Sequence, residues 1–341
     1  MNHQHCNEFL VSHYRPVSNS YHGCLSSLCY LHNQTVNIYS HLFGIVLFVF
    51  WAHKNHNDLL TRYSTSDHGD MLAFGVFFTG VITCFVLSTT FHILSSHSQR
   101  VFHTWRLLDI YGIFIVMIAT VFSATFYGFY CERFWWKVYS IGMTVVASLS
   151  AILCTDASFR SPKWKKLNAA LLIGMGGYGT IPMTHAVQKW GREQVDGQMG
   201  WKFFVIGALC YVTGAFVYAM KIPERWRPGM FDLLGASHQI MHVCVILGAA
   251  VHLKGLIRAF DYNHDPATRR CARWHEIFLV LFHSMSDGSA GLRFLVLSLL
   301  STNPAQNGCM ATRKKGAAAS TNVGQLVRLR TRGEDSLNGW S

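Results

Sequence analysis

Seven stretches of the chain hold no Asp, Glu, Lys or Arg: 16–53, 71–99, 110–131, 138–155, 167–188, 203–220 and 233–253. Each has at least 18 residues, about what a helix rising 1.5 Å per residue needs to cross a hydrocarbon core of about 30 Å. A charge at the bilayer centre costs about 2.5–3.5 kcal/mol or more, so charge-free windows of this length predict membrane-spanning helices. The first window is overlong, and its apolar part begins near Ile38 (IYSHLFGIVLFVFW), so residues 17–37 read as an interfacial segment leading into the first helix. The runs 277–286 and 294–300 are too short to span. Closed barrels, the other structure lipid admits, show ten-residue alternating segments, which these unbroken apolar runs are not. The expected fold is all-α: a seven-transmembrane-helix bundle over 35–258, preceded by a cytosolic and interfacial segment, 1–34, and followed by a disordered tail, 259–341.

Orientation follows from the short connections, because the side richer in Lys and Arg stays in the cytosol. Connections two, four and six carry nine (Arg100, Arg106, Arg160, Lys163, Lys165, Lys166, Lys221, Arg225, Arg227). The opposite connections carry seven (Lys54, Arg62, Arg133, Lys137, Lys189, Arg192, Lys202). This narrow margin predicts a cytosolic N-terminus.

Composition agrees with an integral multi-pass membrane protein: 50% of the 341 residues are hydrophobic and 13% charged, about half the charged share of a soluble domain. The formal net charge of +12 lies in connections between apolar segments rather than in a stripe interleaved with aromatics, which fits anionic membrane lipids and not nucleic acid. Ten cysteines stand singly, without a C-x-x-C pair, which argues against a disulfide scaffold or a zinc ribbon. The N-terminus has no basic flank followed by an apolar core, so no cleaved signal peptide is expected.

Polar groups converge at one depth. His92 stands eight residues before Arg100 at the end of the second window, Asp109 immediately precedes the third, and His238 and His242 lie near the start of the seventh. Gln34, Asn37 and His41 stand at the start of the first helix. In seven antiparallel crossings these positions share one side. Ionisable groups within a membrane are expensive, so a shared depth on several helices predicts a functional site. His238 and His242 are spaced i, i+4 and project from one helix face. That pair alone fits a hydrogen-bonded bundle pair as well as it fits a metal; His92 from a neighbouring helix makes three imidazoles, the set that leaves a fourth tetrahedral position open on Zn2+. Water on such a zinc has a pKa of about 7. Asp109 is a candidate to orient that water or pass its proton, and Ser88, one turn before His92, to support it or bond a substrate.

Other polar residues read as structural. His252, ten residues past His242, lies roughly 15 Å along the axis and cannot share the ion. His185 reads as a satisfied bundle residue, Asn37 and His41 as packing or support for the ligands, and the run GMGGYG at 174–179 as close helix packing.

These residues resemble the progestin and adipoQ receptor family, also called adiponectin receptor and haemolysin III related proteins, in particular its fungal zinc-homeostasis-like branch. The matching strings are HYRP (13–16), LHNQTVNIYSHL (31–42), STTFH (88–92), LDIYGI (108–113), AMKIPERWRPGMFD (219–232) and SHQIMH (237–242), in family order over about 13–266. The resemblance implies seven helices with a cytosolic N-terminus, zinc held by His92, His238 and His242, and Asp109 contacting the zinc-bound water. It also implies kinship with alkaline ceramidases, hence hydrolysis of a ceramide-like lipid amide, although some members are described as hormone receptors. Two features depart from the family. Gln34 stands where this branch usually carries Glu, keeping shape and hydrogen bonding without the charge. Activity survives if that Glu is structural and is weak or lost if it shuttles protons. The last 75 residues match nothing in the family: the tail is either disordered and basic or a misjoined reading frame.

Two functions are therefore expected to compete. One is a zinc-dependent lipid amidase linked to signalling or to lipid and zinc homeostasis; the other is a non-catalytic receptor for an unidentified extracellular ligand, with a structural zinc. No window holds Asp, Glu, Lys or Arg at mid-depth, which argues against a transporter, and the seventh lacks the Lys a retinal Schiff base needs.

Overall fold

A computed structural model describes residues 7–155, 171, 174–269 and 271. The described chain is helical, with no strand among the described residues. A short helix α1 (Tyr21–Ser26) and a 3-10 turn (Ser27–Cys29) lead into α2 (Thr35–Arg62), α3 (His68–Leu94), α4 (Gln99–Gly128) and α5 (Arg133–Thr155). Beyond the undescribed stretch come α6 (Thr180–Trp190), α7 (Arg192–Met199), α8 (Trp201–Met220) and α9 (Ser237–His264). Six helices, α2 to α5, α8 and α9, are long and apolar enough to cross a membrane, and they coincide with six of the seven windows. The remaining window, 167–188, lies partly outside the described residues, as does the tail from 272 onward.

The helices outrun the windows because the windows mark only hydrocarbon. Helix α4 begins at Gln99, where the Ser98 hydroxyl accepts from the Val101 amide, so Asp109 sits three turns inside the helix rather than at its start. Arg100 and Arg106 occupy those first polar turns. Helix α3 begins in a capping box: the Asp67 carboxylate accepts from the amides of Gly69 and Asp70 at 2.7 and 3.1 Å, and Asp70 accepts from the Asp67 amide at 2.9 Å. Helix α9 continues through Lys254, Arg258 and Asp261 to His264, past the expected limit of 258.

Apolar residues face both ways, as a membrane bundle requires. Phe48, Phe77, Phe85, Tyr127, Phe129 and Phe260 fill the interior, while Phe43, Val46, Phe50, Ile141, Leu209 and Phe216 face outward. Close approach occurs at Gly80, where an added Cβ would lie 2.3 Å from the Ala119 Cβ, and at Gly112, 3.0 Å from the Cys84 Cα. These two glycines bring α4 flush against α3. In the run at 174–179, Gly174, Gly177 and Gly179 meet nothing within 4 Å among the described residues, while Tyr178 packs closely on Gly142, where an added Cβ would lie 2.4 Å from its hydroxyl.

The end of the bundle reached by the C-termini of α2, α4 and α9 has its own polar knot. Asp70 and His264 are fully buried and paired at 3.1 Å. The Tyr127 hydroxyl donates to Asp70 at 3.0 Å, and Thr65 lies 2.7 Å from His264 Nδ1. At that end Cys131, three residues past α4, forms a disulfide with Cys271.

Candidate metal centre

The opposite end gathers the starts of α2, α4 and α9 and the last turn of α3. His92 lies in that last turn, and His238 and His242 in the first two turns of α9. The three rings offer one nitrogen each within 4.8 Å of one another. Ring centroids are 5.1 Å apart for His92 and His238, 4.9 Å for His92 and His242, and 4.8 Å for His238 and His242.

Partners behind the rings determine which nitrogen faces inward. His92 Nδ1 lies 2.8 Å from Gln34 Oε1. An amide oxygen only accepts, so Nδ1 carries the ring proton and donates it, leaving the Nε2 lone pair free. That Nε2 is 3.2 Å from Nε2 of His238. Gln34 Oε1 also accepts from Asn37 Nδ2 at 2.9 Å, which pins the amide. Position 34 thus orients a ligand-type histidine, a job an uncharged side chain can perform. On the other flank Ser40 Oγ is 3.4 Å from His242 Nδ1, and the His41 ring stacks on His242 with centroids 3.8 Å apart. Both His41 nitrogens are buried without a hydrogen-bond partner. Three imidazoles converging, with the far sides of His92 and His242 engaged by Gln34 and Ser40, are the chemistry of a borderline-soft divalent cation site, so the donor set fits zinc.

The segment before α2 braces this end. Arg15, 2% exposed, donates to the carbonyls of His92 at 2.6 Å and Ile93 at 2.9 Å, and to the hydroxyls of Ser27 and Ser95, each at 2.8 Å. It therefore satisfies carbonyls that a helix C-terminus leaves open, with a charge of the sign the helix dipole favours. The Gln34 amide donates to His32 Nδ1 at 3.1 Å. Burial, and secondarily the charge of Arg15, push the His32 pKa down from 6.5 to about 4. The folded state thus resists a proton that the unfolded chain accepts, so this contribution to stability is lost as pH falls from about 6.5 toward 4. His32→Asn protein is expected to show a shallower loss of thermal stability over that interval than wild type, measured by melting in detergent at stepped pH.

Ser88 is buried one turn before His92, and Asp109 reaches it from α4. Asp109 is half-buried and lies outside the three-residue nitrogen cluster. The structure therefore brings together His92, His238 and His242 as one group and Ser88 with Asp109 as another, joined through one turn of α3. His252 stacks on Phe77 at 5.2 Å, far from the cluster, and His185 bonds the Tyr139 hydroxyl at 2.8 Å. Sequence reasoning missed Arg15, the role of Gln34 and the disulfide. The first two sit in matching strings, but nothing in a string tells a buried arginine from an exposed one.

The family model described as haemolysin-III related matches residues 29–253. The "Adiponectin receptor protein" of Drosophila melanogaster is 32% identical over 263 residues, covering 75% of this chain and 57% of that one. The "ADIPOR-like receptor IZH2" of Saccharomyces cerevisiae is 31% identical over 265 residues, 76% of this chain and 82% of its own. The "Progestin and adipoQ receptor-like protein 1" of Caenorhabditis elegans is 35% identical over 252 residues, 73% and 57% respectively. The chain is thus a multi-pass membrane protein and belongs to the haemolysin-III related family, which includes the adiponectin-receptor-like proteins. It spans little more than half the length of the fly and worm relatives.

Proposed function

We propose that this protein is a zinc-dependent hydrolase of lipid amides, working from the cytosolic end of a seven-helix bundle and linked to receptor-type signalling. The observation that carries the proposal is the pairing of His92 Nδ1 with Gln34, which aims the His92 Nε2 lone pair at the rings of His238 and His242. His92, His238 and His242 would hold the metal. Zinc held there would supply a Lewis acid that lowers the pKa of water to about 7. The chain's own residues then have separable tasks. Gln34, Ser40 and His41 hold the rings, Asp109 takes the proton released at its carboxylate and returns it to the leaving amine, and Ser88 donates to Asp109 and so orients it. A ceramide-like substrate would reach the site from the bilayer.

Continuity of the chain supports a seventh crossing. Thr155, ending α5, bonds Tyr111 near the histidine end, whereas Lys189, ending α6, pairs with Glu132 at the disulfide end. The two helix ends thus lie at opposite ends of the bundle, and window 167–188 is the apolar stretch available for a crossing. The disulfide supports the orientation, since disulfides persist in oxidising compartments: its end faces the lumen or exterior, and the histidines face the cytosol. After reduction, Cys131 is expected to react with an impermeant maleimide supplied from the exterior of cells or the lumen of sealed microsomes; labelling from the cytosolic side sinks the orientation.

The relatives' names favour a second reading, a receptor in which zinc only ties α3 to α9. Zinc content and fatty-acid release from ceramide vesicles, measured together on wild-type and His92→Ala protein, separate the two. The proposal expects about one zinc per chain with turnover in wild type and neither in the variant. Zinc without turnover, beside an active relative as control, leaves the receptor reading standing.

A further inference from the structure

Three neutral imidazoles bring no negative charge to a divalent cation, Gln34 brings none either, and Asp109 faces Ser88. One fully buried carboxylate near the cluster remains without a role: Glu224, in the loop between α8 and α9, is 0% exposed. Its Oε2 accepts from the Ser237 amide at 2.8 Å, and its Oε1 accepts from the Ser237 hydroxyl and, at 2.9 Å, from Asn7 Nδ2. Ser237 is the first residue of α9 and immediately precedes His238. The N-cap residue, Ala236, has no side chain to cap with, so Glu224 serves as the cap from a distance. Among the described residues no Lys, Arg or His lies within ion-pair distance of it, and the residue it holds, Ser237, is the chain neighbour of His238.

A buried carboxylate with three hydrogen bonds and no cation is costly, and a dication among neutral ligands is equally uncompensated. The two costs are complementary across one residue of helix. Resting on the zinc reading above, we propose that Glu224 is the positioning residue of the cation site: it anchors α9 immediately before His238 and supplies the negative charge that the imidazoles lack. The anchor also extends to the N-terminal segment. Asn7 donates to Glu224, while the Val11 and Ser12 amides donate to Asp232 in the same loop at 3.0 and 2.7 Å.

The test measures metal affinity on full-length protein in detergent, by chelator competition for Zn2+ and by the visible absorption of Co2+ at the same site. Glu224→Gln keeps the shape and loses the charge; it is expected to bind Zn2+ about 10–100-fold more weakly, the range seen when a group supporting a metal ligand is removed. Ser237→Ala removes one hydrogen bond and keeps the carboxylate, and is expected to bind within about threefold of wild type, well short of that range. Glu224→Asp keeps the charge on a shorter arm and is expected to bind within about threefold of wild type; if Glu224→Gln does not fold, a loss of about tenfold or more in Glu224→Asp overturns the proposal. Wild-type affinity in Glu224→Gln overturns the proposal, as does an equal loss in Ser237→Ala or Glu224→Asp, because a cap without an electrostatic role would lower stability alone. Wild-type protein that binds neither Zn2+ nor Co2+ overturns the zinc reading itself.

Discussion

Asp109→Asn is expected to keep the wild-type zinc content and to lose about 10²–10⁴-fold in fatty-acid release from a lipid amide, the usual contribution of a positioned proton-transfer group. The expectation rests on the division of the site into two groups. His92, His238 and His242 present their nitrogens to one point, and Asp109 is not among them; it meets Ser88 across the tight contact of α3 and α4. Asn retains an oxygen that can accept from the Ser88 hydroxyl, so helix packing and ring positions have no reason to change. What it cannot do is take a proton at neutral pH. A variant that keeps both zinc and full turnover would remove Asp109 from the chemistry, and one that loses zinc together with activity would place its carboxylate in the ligand set. The same variant also separates enzyme from receptor, because a zinc that only ties helices gives no turnover to lose.

How far the chain could be read from its sequence depends on the range of the interaction concerned. Burial in lipid acts on each residue separately, so six helices could be read from the absence of charge alone. The i, i+4 pair His238 and His242 could be read because helix geometry fixes which residues share a face, and His92 joined them because the expected alternation of antiparallel crossings put those helix ends on one side. Helix ends were harder. Gln99 and His264 end helices that leave the hydrocarbon, where charge no longer marks the boundary. Pairings that depend on tertiary register had no local signal: Cys131 and Cys271 are 140 positions apart and close only because α4 and α9 end side by side. Gln34 was visible as a missing charge, yet its task appears only once α2 and α3 place its amide 2.8 Å from His92. A substitution that looked like a loss at the level of charge is conservative at the level of the hydrogen bond.

Arg15→Ala is the change expected to cost the most stability of any outside the helices, about 3 kcal/mol or more, since each buried acceptor left without a donor costs about 1–3 kcal/mol. Burial brings the Arg15 pKa down to about 10, so the guanidinium is charged at neutral pH. Its fork holds the His92 and Ile93 carbonyls and the Ser27 and Ser95 hydroxyls together. Alanine leaves those carbonyls facing a dry gap at the negative end of the α3 dipole. The damage reaches the candidate metal centre through covalent connection, since the carbonyl accepting at 2.6 Å belongs to His92 itself. Zinc affinity is therefore expected to fall along with the melting temperature, both measured on detergent-solubilised protein. Arg15→Lys tests whether charge alone suffices: a single ammonium cannot serve four acceptors in one plane, so it is expected to restore only part of the stability. Arg15→Ala protein that melts and binds zinc like wild type would mean that α3 holds His92 in place by itself, and that the N-terminal brace belongs to the periphery of the fold.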